Sequence, residues 1–351
     1  MTAEQDIQEQ VQTAAVEQTP LAIQGGNSKA FYGRTTAGKT LSLRDHHGIL
    51  DYTPSELVIS ARAGTLLTEL ESVLAQEDQM LSFEPPHFNE SATLGGSVAC
   101  GLSGPRRPYT GAVRDFVLGI NCINGKGEIL RLGGQVMKNV AGYDLSRTLT
   151  GSLGTLALLL DVHVRVLPRP VLETTLVQSC PATTAVKYFN RWAGQPLPLS
   201  GTCYLDDRLY VRLSGMTEGV QAAAASIGGE SLDNAGHFWE QLREQQLPFF
   251  AGETPLWRLS VPAATQPLAL DGATLLDWGG AQRWLRSDLP ADTIRSTTTA
   301  VGGHATLFRG GDRNGAVFQP LQPALLALHQ RLKSTLDPAG IFNPGRMYPE
   351  L

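Results

Sequence analysis

The chain has 351 residues, with 28 Lys and Arg against 33 Asp and Glu, so its formal charge is −5. This slightly acidic balance excludes the clustered basic face of a nucleic-acid-binding protein. The hydrophobic fraction of 42% excludes a disordered chain, and the length predicts about two domains, or one large α/β unit with a smaller partner.

The first part of the sequence predicts a helix, then strands, then a second helix. Ile7, Val11 and Ala14 recur at helical spacing, which predicts an amphipathic helix over 4–18 that Pro20 ends. Strands are predicted at 21–23, 57–61 and 80–83, with a helix over 66–74 between the last two. This order is the βαβ rhythm of a sheet that helices partly cover.

Residues 115–170 predict a hairpin and one further strand. Residues 116–123 are apolar at both alternating positions, which is typical of a strand buried on both faces. Asn124-Gly125 favours a tight turn because it tolerates positive φ, and 128–132 is the return strand. Val alternates with Asp, His and Arg over 161–166, which predicts a half-exposed strand ended by Pro168 and Pro170.

The segment Pro168-Arg169-Pro170 is the predicted domain boundary. A looser α+β pattern follows it. Strands are predicted at 172–178, 201–205, 208–213, 256–261, 274–278 and 304–308. Helices are predicted at 182–193, 217–227, 235–246 and 321–335, and a turn-rich tail ends the chain.

The sequence shows no feature of a membrane or secreted protein. No apolar run approaches the roughly 18 residues of a membrane span, and residues 1–20 are acidic and Gln-rich, without a hydrophobic signal region. The cysteines at 100, 122, 180 and 203 form no CxxC pair, which predicts neither a disulfide framework nor a metal site. We therefore expect a soluble, cytoplasmic protein without bound metal.

Residues 33–40, GRTTAGKT, match the P-loop pattern GxxxxGK[ST] but lack its context. A P-loop needs a strand directly before it and a helix directly after it, so that the helix N-terminus faces the phosphates. Here 41–43 looks extended and 45–48 forms a turn, and no apolar run ending in Asp-Glu could hold Mg²⁺. We interpret the segment as a surface turn without nucleoside triphosphate binding.

Three glycine-rich loops lie next to predicted strands. In residues 25–29, GGNSK, consecutive N–H groups can point into one concavity that suits a pyrophosphate, although a simple glycine turn explains this loop equally well. Residues 91–104 and 111–115 combine Gly with Ala, Ser and Cys, so a flat ligand can lie against the main chain. Residues 138–145 and 151–156 form the third loop. Together the loops suggest one long cofactor between two subdomains.

These motifs resemble those of a known family. The motifs are IQGGNSK (23–29), TLGGSVACGLSGPRRPYTGAVRDFVLG (93–119), KNVAGYDLSRTLTGSLGTL (138–156) and LDPAGIFNPGRMY (336–348). In their order they resemble the FAD-binding fold of the vanillyl-alcohol oxidase and p-cresol methylhydroxylase (PCMH) type. Within that fold, the likeness is to the FAD-binding E subunits of bacterial glycolate oxidase.

The resemblance implies an α+β fold with three segments. A PCMH-type FAD-binding domain of two α/β subdomains is expected at 1–168, a shortened α+β cap domain at 171–319, and a C-terminal segment at 320–351 that packs back on the FAD domain. The implied cofactor is FAD. Because the 25–29 loop contains no histidine, we expect the FAD to be bound non-covalently.

The resemblance also implies which residues contact FAD. The first loop would hold the pyrophosphate, the second would run along the adenosine and the isoalloxazine, and the third would close over the cofactor. The predicted FAD contacts are Gly25, Gly26, Asn27, Ser28, Lys29, Gly95, Gly96, Ser97, Ser103, Gly104, Gly111, Val113, Gly151, Gly154, Thr155 and Leu158.

The sequence offers only a few candidate residues for substrate binding. Related D-2-hydroxy-acid dehydrogenases carry an HxxGDGN signature that supplies substrate and metal ligands, and residues 302–314 echo it only faintly. His304, Arg309 and Arg286 are the remaining weak candidates for catalysis, although His304 and Arg309 would face opposite sides of a regular strand. His87 lies in a loop from which it could approach the flavin. The other histidines are expected to be solvated or to pack.

The function that the resemblance implies is that of an FAD-binding subunit in a glycolate oxidase (glycolate dehydrogenase) complex. The complex would oxidise glycolate or a related 2-hydroxy acid to the 2-oxo acid, with a catalytic flavin subunit and an iron–sulfur subunit as partners in electron transfer. Association with the inner face of the cell membrane would run through these partners. Two alternatives stay open: a self-sufficient flavin-dependent D-2-hydroxy-acid dehydrogenase, and a non-catalytic assembly subunit.

Overall fold

A computed structural model of the protein describes residues 2–134 and 143–351. Within these ranges the helices are α1 (Ala3–Glu17), α2 (Leu67–Gln76), α3 (Leu94–Cys100), α4 (Arg107–Thr110), α5 (Val113–Phe116), α6 (Tyr143–Leu149), α7 (Ala182–Ala193), α8 (Thr217–Ile227), α9 (Ala235–Arg243), α10 (Ala291–Ala300) and α11 (Pro323–Leu336). The strands are β1 (Leu21–Gln24), β2 (Lys39–Ser42), β3 (Ile49–Thr53), β4 (Val58–Arg62), β5 (Gln79–Met80), β6 (Val117–Ile123), β7 (Ile129–Gly133), β8 (Leu158–Arg165), β9 (Leu167–Pro168), β10 (Leu172–Ser179), β11 (Leu199–Leu205), β12 (Arg208–Gly215), β13 (Glu230–Ser231), β14 (Leu256–Ser260), β15 (Ala273–Asp277), β16 (Gln282–Arg286) and β17 (His304–Arg309).

The chain divides into two compact units. The first contains Met1–Ser103, Gly111–Pro168 and Arg313–Leu351, and the second contains Gly104–Thr110 and Arg169–Asp312. After the short excursion at Gly104–Thr110, the chain passes into the second unit again at Arg169, within the Pro-Arg-Pro segment. It returns to the first unit at Arg313, whereas the C-terminal segment was expected to begin at 320.

A five-stranded sheet in the order β3-β4-β8-β6-β7 forms the centre of the first unit, and all its pairs are antiparallel. The predicted βαβ rhythm is therefore wrong for this sheet. Among the described residues, the one pair of strands that runs parallel is β1 with β2, which lies outside this sheet. A central antiparallel strand is as apolar on both faces as a parallel one, so periodicity alone could not separate the two arrangements.

Strand β8 is the middle strand of this sheet, and its first seven residues are buried. The prediction of a half-exposed strand is wrong, because polar side chains of β8 are buried and paired with polar groups of neighbouring segments. His46 Nε2 lies 3.3 Å from Asp161 Oδ1, and Asn121 donates to Asp161 Oδ2 at 2.9 Å. His163 Nδ1 lies 2.7 Å from the Ser60 hydroxyl. Polar groups in a core are stable when they are paired in this way.

Two helices pack their apolar faces into the core of the first unit, as their spacing predicts. Helix α1 buries Ile7, Val11 and Ala14, and it ends at Gln18, which adopts left-handed backbone angles. Helix α2 buries its leucines at 67, 70 and 74. The strand predicted at 80–83 is shorter in the structure, where only the two residues of β5 pair, with β9.

The second unit is built on an eight-stranded sheet in the order β13-β10-β12-β11-β15-β16-β14-β17, again with antiparallel pairs. Most of its predicted elements are present with small changes of their ends. Within Arg169–Asp312, the helices and strands that the sequence did not predict are β13, β16 and α10. Helix α10 is rich in threonine, which has low helix propensity, and β16 contains a buried arginine, Arg283, that donates to main-chain carbonyls.

The C-terminal residues 337–351, called the tail below, belong to the first unit and are hydrogen-bonded to the rest of it. Lys333 Nζ lies at the end of α11 and donates to Thr155 O at 2.7 Å, to Asp337 Oδ2 at 2.8 Å and to Phe342 O at 2.9 Å. Phe342 also forms a parallel bridge with Leu21 of β1. Helix α11, like every other helix in the described ranges, is too short or too polar to cross a membrane.

We predict that Lys333→Met lowers the free energy of unfolding by about 3 kcal/mol, because it leaves the buried Asp337 carboxylate without its ion partner. Urea unfolding followed by circular dichroism measures the change. Arg331→Met is the matched control, since Arg331 is exposed on the same helix. Equal stabilities of the two variants would contradict the role of the ion pair.

The stability of the first unit is also expected to depend on pH through His163. Burial holds the pKa of His163 below its usual value, and the nearby Asp161 carboxylate opposes this only partly. The unfolded chain therefore binds the proton more readily, so this contribution is complete above about pH 6.5 and is lost as the pH falls toward the folded pKa. Between pH 7 and 5, His163→Asn should lose less stability than the wild type. The exposed His237→Asn should follow the wild type, and parallel curves for both variants would refute the assignment.

Candidate functional site

A cavity of about 460 Å³ lies within the first unit. Its wall is formed by the end of β1, the loop that follows it, α3, residues 153–154 and the tail. Small residues of α3, namely Gly95, Gly96 and Ala99, form one side. The volume lies in the range of sites for small molecules and cofactors.

The loop after β1 presents main-chain donors to this cavity. At Gly26 a Cβ atom would lie 1.4 Å from Ser91 O, so no side chain fits there. Asn27 adopts a positive φ of 61°, which turns the chain sharply. Among the described residues, the N–H groups of Gly26, Asn27 and Ser28 donate no hydrogen bond. These three groups, called the nest below, are suited to an anion.

The charge of the cavity wall is entirely positive in the part of the chain that the structure describes. Lys29, Arg34, Arg313 and Arg346 line it, together with no Asp or Glu. Lys29 is 6% exposed, and its Nζ lies 3.3 Å from the Ser28 hydroxyl. Burial lowers the pKa of Arg346, and burial followed by the charge of Arg346 lowers that of Arg313. A bound anion would offset these charges.

Helix α3 lies close to the end of β4 because the second and third residues of the helix are glycines. A Cβ at Gly95 would meet the Cβ of Ala63 at 2.5 Å, and the Gly95 N–H donates to Ala63 O at 2.9 Å. The Thr93 hydroxyl accepts the Gly96 N–H at 3.2 Å and caps the helix. Gly95 therefore allows the close packing of α3 against residue 63, and both glycines line the cavity.

The structure brings part of the predicted FAD contacts together. The predicted residues that line the cavity are Gly25, Gly26, Asn27, Ser28, Lys29, Gly95, Gly96 and Gly154. The predicted residues that lie outside this lining are Ser97, Ser103, Gly104, Gly111, Val113, Gly151, Thr155 and Leu158. Ser97 and Leu158 are buried in the first unit, and Gly104 belongs to the second. Residues 138–142 of the third loop lie outside the described residues.

Several lining residues were not predicted. Four of them, residues 33–36, belong to the segment that we interpreted as a surface turn. That interpretation is wrong for Gly33, which is buried with a φ of 92°, whereas Thr35 is exposed. Lys39 and Thr40, however, are exposed on β2, and no helix follows them, so the segment has no P-loop geometry.

Arg313 and two tail residues, Asn343 and Arg346, also line the cavity. Asn343 is held on both sides, since its Oδ1 accepts the Ile23 N–H at 2.9 Å and its Nδ2 donates to Leu153 O at 2.8 Å. The motif FNPGR in the tail was visible in the sequence and could have indicated these lining residues. Its position beside the loop after β1 could not be predicted, because it depends on a contact between residues more than 300 positions apart in the sequence.

The weak catalytic candidates are not brought together as a set. Arg286 and Arg309 lie on either side of Leu256 in the second unit's sheet. Burial and then the charge of Arg286 lower the pKa of Arg309, as expected for neighbours. His304 pairs with Ser260 at the other end of β17. A β-bulge in the same strand pair also breaks the regular alternation that the sequence suggested.

Two further groups near the cavity can be placed. His87 Nε2 lies 3.1 Å from Glu71 Oε1, and His87 does not belong to the lining. Cys100 does line the cavity, and burial raises its pKa although the charges of Lys29 and Arg346 act in the opposite direction. Among the described residues no three His, Cys, Asp or Glu side chains group as metal ligands would.

The residues of this cavity fit the diphosphate part of FAD. The nest supplies N–H donors without acceptors, the wall supplies cationic side chains, and glycines let a ligand approach the main chain. Two phosphate groups with negative charge match both features.

Comparisons with known proteins agree with this fit. Two family models match, described as "FAD binding domain" over residues 1–133 and "FAD linked oxidases, C-terminal domain" over residues 310–347. The chain is 52% identical over 347 residues to the glycolate oxidase subunit GlcE of Escherichia coli (strain K12). The aligned residues cover 99% of this chain and 98% of that protein. FAD is confirmed as the cofactor.

Other relatives match over a shorter length. The chain is 30% identical over 161 residues to the glycolate oxidase subunit GlcD of Bacillus subtilis (strain 168), which covers 45% of this chain and 34% of that one. It is 31% identical over 166 residues to the D-lactate dehydrogenase of Anaerostipes hadrus, covering 46% and 34%. A solved structure of alkyldihydroxyacetonephosphate synthase is similar with a TM-score of 0.68 at 14% identity, covering 97% of this chain and 75% of that one. This likeness concerns the fold alone, and the predicted α+β PCMH-type fold class is confirmed.

We predict that Gly26→Ala abolishes FAD binding, because the added methyl group displaces the loop from Ser91 and with it the nest. Quenching of flavin fluorescence on titration measures the affinity. Gly236→Ala is the matched control, since a Cβ at Gly236 meets nothing within 4 Å in α9. The control should bind FAD like the wild type and gain about 0.5 kcal/mol of stability. Normal FAD affinity in Gly26→Ala would contradict the placement of the nest.

Proposed function

This chain belongs to the family of the glycolate oxidase subunit GlcE, and from that membership we propose that it is the FAD-binding subunit of a glycolate oxidase complex. The complex oxidises glycolate, or a related 2-hydroxy acid, to the 2-oxo acid. The chain is thus an FAD-dependent oxidoreductase that acts as a subunit. The observation that carries the proposal is 52% identity to GlcE along nearly the full length of both chains.

The cavity in the first unit supports this proposal independently of the overall identity. An electron-transfer subunit has to retain its flavin through many turnovers, and a diphosphate offers the strongest attachment point in the cofactor. The nest and Lys29 provide that attachment. Their arrangement is intact in this chain, which favours a functional flavin site over the alternative of a non-catalytic assembly subunit.

FAD, when bound, supplies the capacity to take up two electrons from the substrate. The residues of this chain would bind and orient the cofactor. The N–H groups of the nest would hold the phosphates, and Lys29 would offset their charge from within the protein, where little water can compete. Gly95 and Gly96 of α3, which line the cavity without side chains, would leave room for the cofactor beside the helix.

We assign the oxidation of substrate to the complex and not to this chain alone. Arg286 and Arg309 are neighbours, but His304 lies at the opposite end of β17, so these residues do not form one acid-binding and proton-accepting group. This separation favours the subunit role over that of a self-sufficient dehydrogenase. The partners that we propose are a catalytic flavin subunit and an iron–sulfur subunit.

The similarity to GlcD fits such a pair of flavin subunits. It covers 45% of this chain at 30% identity, which is the extent expected of two proteins that share an FAD domain and differ elsewhere. Electrons would pass through the flavins to the iron–sulfur subunit. We propose that the chain is located in the cytoplasm, and that it lies at the inner face of the cell membrane when its partner subunits associate with the membrane.

We predict that the isolated chain takes up FAD and shows the visible flavin spectrum, and that glycolate does not bleach it. The complete complex should reduce an artificial electron-accepting dye when glycolate is added. A complex that contains Gly26→Ala should lose that activity, while one that contains Gly236→Ala should retain it. A chain that cannot be reconstituted with FAD would refute the proposal, and bleaching of the isolated chain by glycolate would favour a self-sufficient dehydrogenase.

A further inference from the structure

The tail and the loop after the nest are joined by a series of hydrogen bonds. The Arg34 N–H donates to Arg346 O at 2.8 Å, and the Thr36 hydroxyl donates to Pro344 O at 3.0 Å. In the other direction, Arg346 Nη2 donates to Tyr32 O at 3.0 Å. One edge of the cavity is therefore built from the two ends of the polypeptide.

Two arginines at this edge are bonded to uncharged acceptors. Arg34 donates from Nε to Gly345 O at 2.9 Å and from Nη1 to Gly315 O at 2.6 Å. Arg346 uses Nη2 alone, for Tyr32 O and, at 3.4 Å, for Ala30 O. Within the described residues, Nη2 of Arg34 and both Nε and Nη1 of Arg346 have no acceptor. Guanidinium groups with spare donors bind phosphate well.

Arg346 lies at the same part of the cavity as the nest. Its acceptor Ala30 comes directly after Lys29, the last residue of the predicted phosphate loop. The charges of Arg346 and Lys29 both act on the thiol of Cys100 in α3, where they oppose the rise in pKa that burial causes. The two cations thus flank one region, and Asn343 holds the tail beside it.

We propose that the tail forms part of the dinucleotide site: Arg346, assisted by Arg34, binds the diphosphate of FAD together with the nest, and the bound dinucleotide in turn holds the tail in place. This inference rests on the proposed FAD-binding function of the chain. The two phosphates of the dinucleotide would supply the negative charge that the cavity wall around Arg34 and Arg346 lacks. Because linkage between two binding events is reciprocal, a tail that strengthens dinucleotide binding is itself stabilised by the dinucleotide.

The affinity test uses three ligands, FAD, ADP and riboflavin, and is made by isothermal titration of the full chain. Arg346→Gln should weaken FAD and ADP binding by about ten-fold or more, as expected for loss of a charged hydrogen-bond donor. Riboflavin, which has no phosphate, should bind the variant and the wild type equally. Arg346→Lys, which retains the charge, should recover part of the affinity.

Arg44→Gln is the matched control. Arg44 approaches the carbonyls of Gly25 and Gly26 at 3.4 Å, so it contacts the same loop, but it does not line the cavity. Its ADP affinity should stay within about two-fold of the wild type. Equal ADP affinities of Arg346→Gln, Arg44→Gln and the wild type would overturn the inference and leave the proposed function intact. A wild-type chain that binds neither FAD nor ADP would overturn both.

A second readout follows the tail directly. Amide hydrogen exchange of residues 341–351 should slow when ADP is added to the wild type, and ADP should have a smaller effect in Arg346→Gln. This measurement compares each protein with itself, so a loss of stability in the variant does not mimic the result. Exchange in the wild-type tail that is unchanged by saturating ADP would contradict the coupling.

Discussion

Close main-chain contact at Gly26 is the constraint on which the cofactor site depends. The loop passes so near Ser91 that a single added carbon would meet the Ser91 carbonyl oxygen at 1.4 Å. This contact constrains the main chain that carries the N–H groups of Gly26, Asn27 and Ser28, which are the groups that we propose bind an anion. The surrounding cations then raise the affinity for an anion that the main chain has already positioned.

The first unit positions this loop through contacts that are distant in sequence. Strand β1 pairs with β2 on one side and with the tail on the other, and Asn343 bonds to both β1 and Leu153. Lys333 anchors the start of the tail through three buried acceptors. The cavity wall therefore combines three separate segments: the loop after β1, the glycine-rich α3 and the tail. The first and the last of these segments are about 300 residues apart in the sequence.

The sequence predicted the features that local patterns control. Helices α7 and α8 have the bounds that their apolar spacing and end residues indicate, and the glycine doublets at 25–26 and 95–96 line the cavity as main-chain surfaces. Pairing of polar side chains was not predictable, because Asp161 and His163 look exposed until their partners, which lie far away in the sequence, are known. Arg346 was not predicted as a cavity residue for the same reason, because its proposed contact with the diphosphate depends on where the tail lies in the folded chain.

A crystal structure of the chain with bound FAD would show directly whether the nest holds the cofactor. We expect the diphosphate oxygens to lie within hydrogen-bond distance of the Gly26, Asn27 and Ser28 N–H groups, with the side chain of Lys29 beside them. A diphosphate bound elsewhere, or nest N–H groups that are bonded to carbonyls of the protein itself, would contradict it.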